Sequence, residues 1–417
     1  MKKKLLIITG AGASIEFGMP SVADIDALLE IWGIEILPLK NDNTKSLYSW
    51  VKEHLSKYTV QNTKNRLERL LNFESVLYTI QMLYSVSKDI QSRQYNHRLN
   101  PFIDIIDFPE VISFGKEKKA VAHDFHFLHS YLVDKLLAFL RDKCKTLPTD
   151  KKTELDLLQS FLNRLQVEFD FGFVNLNYDN VILTALPDLN TGFDKLTGKF
   201  SRKLLFETGW NFCYHLHGSV HFDMKGGDDH TEMHKICWNS YLSSLFQHNS
   251  SGRSNNDTTE GIDHLNSNII TGLDKANQVL REPFASYFMQ LDRLAYEADA
   301  ILFIGYGFAD VHLNKIFPFV RYDKEKIRKV VVIDWAGPDE DGLNFRHDDW
   351  TYGLFTTIPY NASEMGNGVN RTPQPAIRFK KSNTLEKSAN PELPLAVWYN
   401  GLLSASTNID KIIKELL

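Results

Sequence analysis

Four short segments of this chain carry residue types that bind a nucleotide, and each follows an apolar or aromatic run. They are Gly10-Ala11-Gly12-Ala13-Ser14, Asn175-Leu176-Asn177-Tyr178-Asp179, Leu216-His217-Gly218-Ser219 and Gly305-Tyr306-Gly307-Phe308-Ala309-Asp310. A β-strand ends at such positions, and open α/β sheets build ligand sites at the carboxyl ends of their strands, where the strand order reverses. Together the segments predict one nucleotide site at one edge of a sheet.

Glycine pairs open the first and the last of these segments. A glycine pair after a strand lets the backbone turn tightly and approach a pyrophosphate, with helix N-terminal amides facing the negative charge. Gly10 and Gly12 fit that use, and Gly305 and Gly307 end a second strongly apolar run. Position 15 is Ile15 instead of the third glycine of the dinucleotide fingerprint, so a plain tight turn explains the first pair equally well.

The two middle segments supply an amide, a carboxylate and an imidazole. Asn177 and Asp179 come just past a buried strand, where polar side chains are costly unless they are paired or functional. Capping of a helix is the alternative, because Asn and Asp are preferred N-caps. His217 faces the same side of its strand as His215, and imidazole suits proton transfer near neutral pH. A core histidine is the alternative there.

Two further carboxylates belong to the candidate set. Asp310 follows the second glycine pair, and Asp334 ends the apolar run Val330-Val331-Val332-Ile333. An acidic side chain at the place of Asp334 often binds a ribose hydroxyl. For both residues the alternative is a turn or a helix cap.

The chain pattern predicts an α/β fold, namely a Rossmann-like parallel sheet with a large helical insertion and a C-terminal extension. The predicted strands are Leu5–Thr9, Phe169–Leu176, Phe212–Leu216, Ala300–Ile304 and Lys329–Ile333. The helices predicted around and after them are Phe284–Ala298, Val311–Val320 and Asn408–Leu417.

These elements predict one nucleotide-binding domain over residues 1–335, followed by a C-terminal extension over 336–417. A helical insertion at 36–165 interrupts the domain, because apolar residues there recur at helical spacing. A loop-rich insertion at 223–282 interrupts it again. Within that insertion, the polar composition of 249–257 is typical of a mobile surface loop, and a loop of this kind can lie over the site.

Composition excludes several classes of protein. With 417 residues, 43% of them hydrophobic, the chain is long enough to bury a full core. A net charge of −5 lacks the excess of positive charge that is typical of proteins that bind nucleic acid directly. The apolar run after the N-terminal lysines is too short for a signal peptide, and no segment matches a membrane span, so we expect a cytoplasmic protein without membrane contact. Three scattered cysteines favour a reducing compartment, and we expect no metal.

In this order the segments resemble the sirtuin superfamily, and within it the sirtuin-like domains of bacterial antiphage defence proteins that hydrolyse NAD. The loop at 10–14 is similar to the phosphate and ribose loop of that family. The segment 177–179 resembles the one with its catalytic Asn and nicotinamide-contacting Asp, and 217–219 the one with its catalytic His. The segment 305–312 is similar to the signature of the defence branch. The likeness covers about 1–25, 166–222 and 296–335.

The resemblance implies an NAD glycohydrolase, an enzyme that takes NAD as its substrate and releases nicotinamide and ADP-ribose. Asn177 and His217 are the catalytic residues that it implies. The residues expected to bind the substrate are Gly10, Ala11, Gly12, Ser14, Asp179, Gly305, Gly307, Asp310 and Asp334.

The chain also departs from the deacylating sirtuins. It has no pair of Cys-x-x-Cys motifs for their zinc ribbon, and Ser21-Val22-Ala23 stands where those enzymes have Asp-Phe-Arg. Peptide deacylation is therefore the less expected activity. The alternatives are an NAD-dependent protein deacylase, an ADP-ribosyltransferase, and a non-catalytic module that senses a nucleotide.

An unrestrained NADase would empty its own cell of NAD, so we expect a resting state that assembly or a partner activates. The resemblance suggests a homo-oligomer, a HerA-type hexameric ATPase or a short Argonaute, and the sequence does not choose among them.

Overall fold

The computed structural model describes most of the chain. The described residues are 2–62, 71–92, 106–207, 209–224, 235–242, 256–259, 262–265, 268–270, 279, 281–321, 323, 325–336, 348–358, 384–388 and 391–417. The polar loop predicted at 249–257 lies outside these residues, apart from Asn256 and Asp257, which belong to a short strand. Among the described residues, no helix has both the length and the apolar composition needed to cross a membrane.

The described residues form strands and helices of varied length. In chain order the strands are β1 Lys3–Thr9, β2 Glu110–Ser113, β3 Lys116–Lys119, β4 Phe169–Asn175, β5 Cys213–His215, β6 Phe222–Met224, β7 Ile236–Trp238, β8 Asn256–Thr259, β9 Ile262–Leu265, β10 Ala300–Ile304, β11 Lys329–Ile333, β12 Leu385–Lys387 and β13 Leu395–Trp398. The helices are α1 Gly12–Ile15, α2 Val22–Ile36, α3 Leu47–Asn62, α4 Phe73–Ser92, α5 Ala122–Asp150, α6 Lys152–Glu168, α7 Val181–Ala185, α8 Arg202–Glu207, α9 Phe284–Glu297, α10 Val311–Asn314, α11 Phe317–Arg321, α12 Asp348–Thr357, α13 Gly401–Ser406 and α14 Ile409–Leu416.

The chain divides into two compact units. The first consists of Met1–Met19, Lys143–Ser219 and Pro283–Leu417, and the second of Pro20–Asp142 and Val220–Glu282. The main sheet belongs to the first unit, whereas the second contains helices α2 to α4 and the hairpins β2–β3, β6–β7 and β8–β9. The domain boundaries stated above, with insertions at 36–165 and 223–282 and an extension at 336–417, stay a prediction.

A seven-stranded sheet in the order β12-β13-β11-β10-β1-β4-β5 forms the centre of the first unit. Its neighbouring strands are parallel, except that β12 pairs with β13 in the antiparallel sense. This confirms the predicted fold class. The chain passes from β1 to β4 and β5 on one side and then returns to β10 on the other, so the strand order reverses beside β1. Sheets of this kind bind ligands at that reversal.

The carboxyl ends of the central strands lie in one row. Thr9 of β1 pairs with Asn175 of β4 and Ile304 of β10, and Asn175 pairs in turn with His215 of β5. Beyond β10, Ile304 pairs with Ile333 of β11. Each candidate segment begins in this row or just past it, so the register alone brings the segments to one edge of the sheet.

Apolar side chains make this sheet a rigid support for its loops. Leu5, Leu6, Ile7 and Ile8 of β1 are fully buried, and so is nearly all of β10. A parallel sheet is covered on both faces, which is why these strands are continuous apolar runs in the sequence. Burial of each such side chain stabilises the fold by about 1.5–3 kcal/mol. Helix α6 packs on β4, α9 on β1 and β5, and α14 on β10 and β11.

Three features depart from the sequence predictions. The extension after Trp335 contributes β12 and β13 to the main sheet, although we predicted only its last helix. The hairpin β2–β3 lies within the region predicted as helical, with positive φ angles at Phe114 and Gly115 in its turn. The single helix predicted over Val311–Val320 is two short helices, because Pro318 has no N–H to donate to the preceding turn.

Candidate active site

The two glycine loops contact each other at the ends of β1 and β10. The amide of Gly12 donates to the carbonyl of Gly305 at 3.0 Å, and that of Gly10 donates to Ile304 O at 3.0 Å. Gly305 has a φ of +59°, and a Cβ added to it would lie 2.0 Å from the nitrogen of Ala13. A Cβ on Gly10 would lie 2.7 Å from Gly305 O. These glycines are therefore required for the close approach of the two loops.

The outer parts of both loops remain accessible. Ala11 is exposed and Gly12 half-buried, and Gly307 and Ala309 are exposed on the other loop. A Cβ on Gly307 would meet no atom within 4 Å. These backbone positions are therefore open to solvent.

The Asn177 side chain joins the loop after β4 to the loop after β1. Its Nδ2 atom donates to Gly10 O at 2.8 Å and to Ser14 Oγ at 3.0 Å, and its backbone amide donates to Asn175 Oδ1 at 3.1 Å. The Ser14 hydroxyl also interacts with the Asp179 carboxylate, whose pKa it lowers. Three predicted site residues, Ser14, Asn177 and Asp179, thus form one buried polar cluster.

Asp179 is held in an environment that opposes its ionisation. Burial raises the pKa of its carboxyl group above the usual range, while hydrogen bonds from the Val181 amide and the Ser14 hydroxyl act in the opposite direction. The Val181 amide donates to Asp179 Oδ1 at 3.0 Å. A group with these properties is a candidate for a functional site, because a fold gains no stability from burying a carboxylate.

A row of polar side chains beneath the candidate residues was not predicted as part of the site. Thr9 Oγ1 donates to Asn175 Oδ1 at 2.8 Å, and Asn175 Nδ2 lies 3.4 Å from His215 Nδ1. The three side chains are buried at the last positions of β1, β4 and β5. The sequence signal was a polar residue directly at the end of each apolar run. Their hydrogen bonds hold Asn175, and through it the backbone of Asn177.

His217 and Asp310 form a second buried pair. His217 Nε2 lies 2.9 Å from Asp310 Oδ2, and the two side chains are 7% and 6% exposed. The other carboxylate oxygen, Oδ1, accepts hydrogen bonds from the amides of His312 and Leu313 and so caps α10. Asp310 therefore caps a helix, which was the alternative role for it, and it also contacts the candidate catalytic histidine.

Asp334 lies at the end of β11, two strands away from β1, a distance of about 10 Å at the usual strand spacing. Its amide donates to Trp398 O at 2.8 Å, and its carbonyl accepts from the amide of Gly401 at 3.0 Å. Its carboxylate accepts from the amide of Trp335 at 2.8 Å. The described contacts thus link Asp334 to the C-terminal strand, and its role towards a ribose stays a prediction, as do those of Ala11 and Gly307.

The fold and the site together define a Rossmann-like α/β protein whose polar candidate residues gather at the point where the strand order reverses. Residues 172–349 match the profile of the SIR2-like domain, a span that includes the candidate residues from Asn177 to Asp334. Over these residues the chain is similar to that domain.

Solved Sir2 structures are also similar to this chain. The ADP-ribose complex of a mutant Sir2 homologue is 12% identical, covering 85% of this chain and 91% of its own, with a TM-score of 0.33. An NAD complex of a Sir2 homologue is 12% identical, covering 81% of this chain and 79% of its own, with a TM-score of 0.32. No curated protein matches the chain significantly.

Proposed function

We propose that this protein is an NAD glycohydrolase, which cleaves the bond between nicotinamide and ribose to give nicotinamide and ADP-ribose. The observation that carries the proposal is the buried polar cluster of Asn177, Ser14 and Asp179, in which Asn177 donates to Ser14 and to the carbonyl of Gly10. It joins the catalytic asparagine that the resemblance implies to the loop that would hold the phosphates. The match of residues 172–349 to the SIR2-like domain supports the same substrate.

The hydrogen bonds of Asn177 limit what its side chain can do. An amide group has two N–H donors, and both of them donate within the protein, to Gly10 O and Ser14 Oγ. The amide oxygen is therefore the atom that acts on the substrate, as an acceptor from the attacking water or from a hydroxyl of the nicotinamide ribose. Positioning of this kind contributes to rate because the reacting groups are oriented before the bond breaks.

His217 is the proposed general base. In the reaction the glycosidic C–N bond breaks, nicotinamide leaves with the bonding electron pair, and water forms a bond to the anomeric carbon. The imidazole takes the proton of that water, or of a ribose hydroxyl, and later releases it to solvent. General base catalysis of this kind is commonly worth about 10²–10⁴ in rate.

Two sequence features favour hydrolysis over deacylation. The chain has three cysteines and no Cys-x-x-Cys pair, so it has no counterpart of the zinc ribbon of deacylating sirtuins. Ser21-Val22-Ala23 also replaces the Asp-Phe-Arg that follows Gly-Ile-Pro in those enzymes. We therefore expect NAD to be consumed without an acyl substrate.

Purified protein mixed with NAD, without an acyl substrate and either at high protein concentration or with a proposed partner present, tests the proposal. We expect mass spectrometry to detect nicotinamide and ADP-ribose in equal amounts. Asn177→Ala and His217→Ala should each lower kcat by about 10²-fold or more. The matched controls are Asn163→Ala on the outer face of α6 and His54→Ala on α3, both exposed, and they should retain full turnover.

Other outcomes identify the alternative activities. Nicotinamide release that requires an acylated peptide would instead make the protein a deacylase. Transfer of labelled ADP-ribose to protein would make it a transferase. Tight NAD binding without nicotinamide release, under conditions that activate the protein, would make it a nucleotide-sensing module.

The physiological role that we propose is depletion of NAD in a bacterial antiphage defence system, in the cytoplasm. Because a constantly active NADase would harm its own cell, activity is held back until a partner binds or the protein assembles into a homo-oligomer. A HerA-type ATPase and a short Argonaute are the proposed partners. Turnover should therefore rise with protein concentration or with the partner, and full turnover by a dilute isolated monomer would contradict this regulation.

A further inference from the structure

The contact between His217 and Asp310 joins segments that leave the sheet far apart. His217 follows β5 and Asp310 follows β10, and β1 and β4 lie between those two strands. Three strand spacings correspond to about 14 Å. The two side chains nevertheless approach to 2.9 Å, so the two segments together span the carboxyl ends of β1 and β4.

Backbone hydrogen bonds fix the orientation of the Asp310 carboxylate independently of His217. Its Oδ1 atom accepts from the amides of His312 at 3.0 Å and Leu313 at 3.2 Å. A carboxylate is planar, so these two hydrogen bonds also fix where Oδ2 lies. That second oxygen is the one beside His217 Nε2.

The segment that leads to Asp310 is itself tied down. The Tyr306 hydroxyl donates to Asn314 Oδ1 at 2.6 Å, and Asn314 Nδ2 donates to Phe308 O at 2.8 Å. Trp350 of α12 donates to Tyr306 O at 3.3 Å. Phe308 has a φ of +55°, a backbone conformation that residues other than glycine rarely adopt. Such a conformation persists only where its surroundings hold it, so the position of Asp310 is specified in detail.

A helix cap by itself does not require this arrangement. Asn or Ser caps a helix as well as Asp does, and neither brings a negative charge. Here the second oxygen of a buried carboxylate faces a buried imidazole at the distance of an ion pair. At this distance the charge of the carboxylate acts directly on the ring.

We propose that Asp310 is a positioning residue for His217, holding the ring and stabilising the imidazolium that forms when His217 takes a proton during NAD cleavage. The inference rests on the proposed function. Asp310 stays ionised throughout, the proton resides on His217 after the attack of water, and it leaves to solvent once ADP-ribose has formed. An opposite charge at this distance, in buried surroundings, favours the charged form of the ring.

Asp310→Asn separates this role from the helix cap. Asn keeps an oxygen for the amides of His312 and Leu313 and removes the charge, so the thermal stability should stay close to that of the wild type. We expect kcat to fall by about 10²-fold or more, with little change in KM. Asp292→Asn, an exposed substitution on α9, is the matched control and should leave kcat unchanged.

NMR of protein with labelled histidine gives a readout that does not depend on turnover. The ring signals of His217 are those that His217→Ala removes. At a pH of about 6.5, the ordinary pKa of histidine, we expect a smaller protonated fraction of His217 in Asp310→Asn than in the wild type. Asp292→Asn should leave that fraction unchanged.

The outcomes distinguish this inference from the proposed function. Loss of kcat together with a changed protonated fraction supports it. Wild-type kcat in Asp310→Asn, or an unchanged protonated fraction, overturns it. A third outcome is a changed protonated fraction of His217 in a protein that does not hydrolyse NAD even with its partner present. It would overturn the NAD chemistry and establish the electrostatic link between Asp310 and His217.

Discussion

Gly305→Ala is the substitution for which the structure predicts the clearest effect. The added Cβ would lie 2.0 Å from the nitrogen of Ala13 and 2.3 Å from the carbonyl carbon of Gly12. Both are backbone atoms, so no side-chain rotation relieves the overlap. The φ of +59° at this position adds a conformational cost of about 1–2 kcal/mol for any residue with a Cβ.

The size of the expected displacement follows from these distances. A contact of about 3.0 Å is the shortest that a Cβ adopts, so the loops after β1 and β10 must separate by about 1 Å. Misplacement of catalytic groups by about 1 Å can cost 10²-fold in rate. We therefore expect Gly305→Ala to lower kcat for NAD hydrolysis by about 10²-fold and to lower the melting temperature.

The assay compares nicotinamide release and thermal unfolding of this variant with those of two others. Gly209→Ala lies in an exposed turn with open space around its Cβ, and it should match the wild type in both. Gly307→Ala also meets no atom within 4 Å, and it should match the wild type in stability. Wild-type turnover and stability in Gly305→Ala would refute the conclusion that the two loops depend on this close approach.

Two further predictions concern buried titratable groups. Burial raises the pKa of Asp179 in the folded protein. Above that pKa, keeping the carboxylate ionised lowers the free energy of unfolding. Below a pH of about 3.9, the pKa of Asp in the unfolded chain, this destabilisation disappears. Asp179→Asn should therefore raise the melting temperature at neutral pH, and this increase should become smaller as the pH falls. A variant that is less stable than the wild type at pH 7 would contradict this. Burial lowers the pKa of His221 to about 4. The neutral imidazole therefore contributes its full stability above about pH 6.5, the ordinary pKa of histidine. As the pH falls from about 6.5 towards 4, the free energy of unfolding should decrease by about 3 kcal/mol in total. Urea unfolding at several pH values should show this loss in the wild type and not in His221→Asn, whose amide can still donate to Asn239 O.

The sheet was predictable where its strands are buried on both faces. The observed bounds of β10 and β11 are those predicted, and β1 and β4 differ from the prediction by two residues or fewer. Strand β13 was missed because its four residues, Leu395–Trp398, follow closely on Pro394 in a stretch without regular pattern. Its strand character comes from pairing with β11, a contact distant in sequence.

The site was predictable as a set of segments and not as a set of contacts. Polar residues after apolar runs indicated the right edge of the sheet, since strand ends in register bring such residues together. Which side chain meets which depends on loop conformation. We predicted Ser14 and Asp310 as substrate-binding residues, and in the structure Ser14 accepts from Asn177, and Asp310 faces His217. Neither contact leaves a periodic or compositional signal.

A structure of His217→Ala with NAD bound is the most direct test of the central claim that the separate segments bind one dinucleotide. We predict the pyrophosphate beside the backbone of Ala11 and Gly12, and a ribose hydroxyl or water within about 3.2 Å of Asn177 Oδ1. The position of the missing imidazole should lie beside the glycosidic bond. NAD bound elsewhere on the protein, or bound with Asn177 and residue 217 in separate cavities, would contradict the claim.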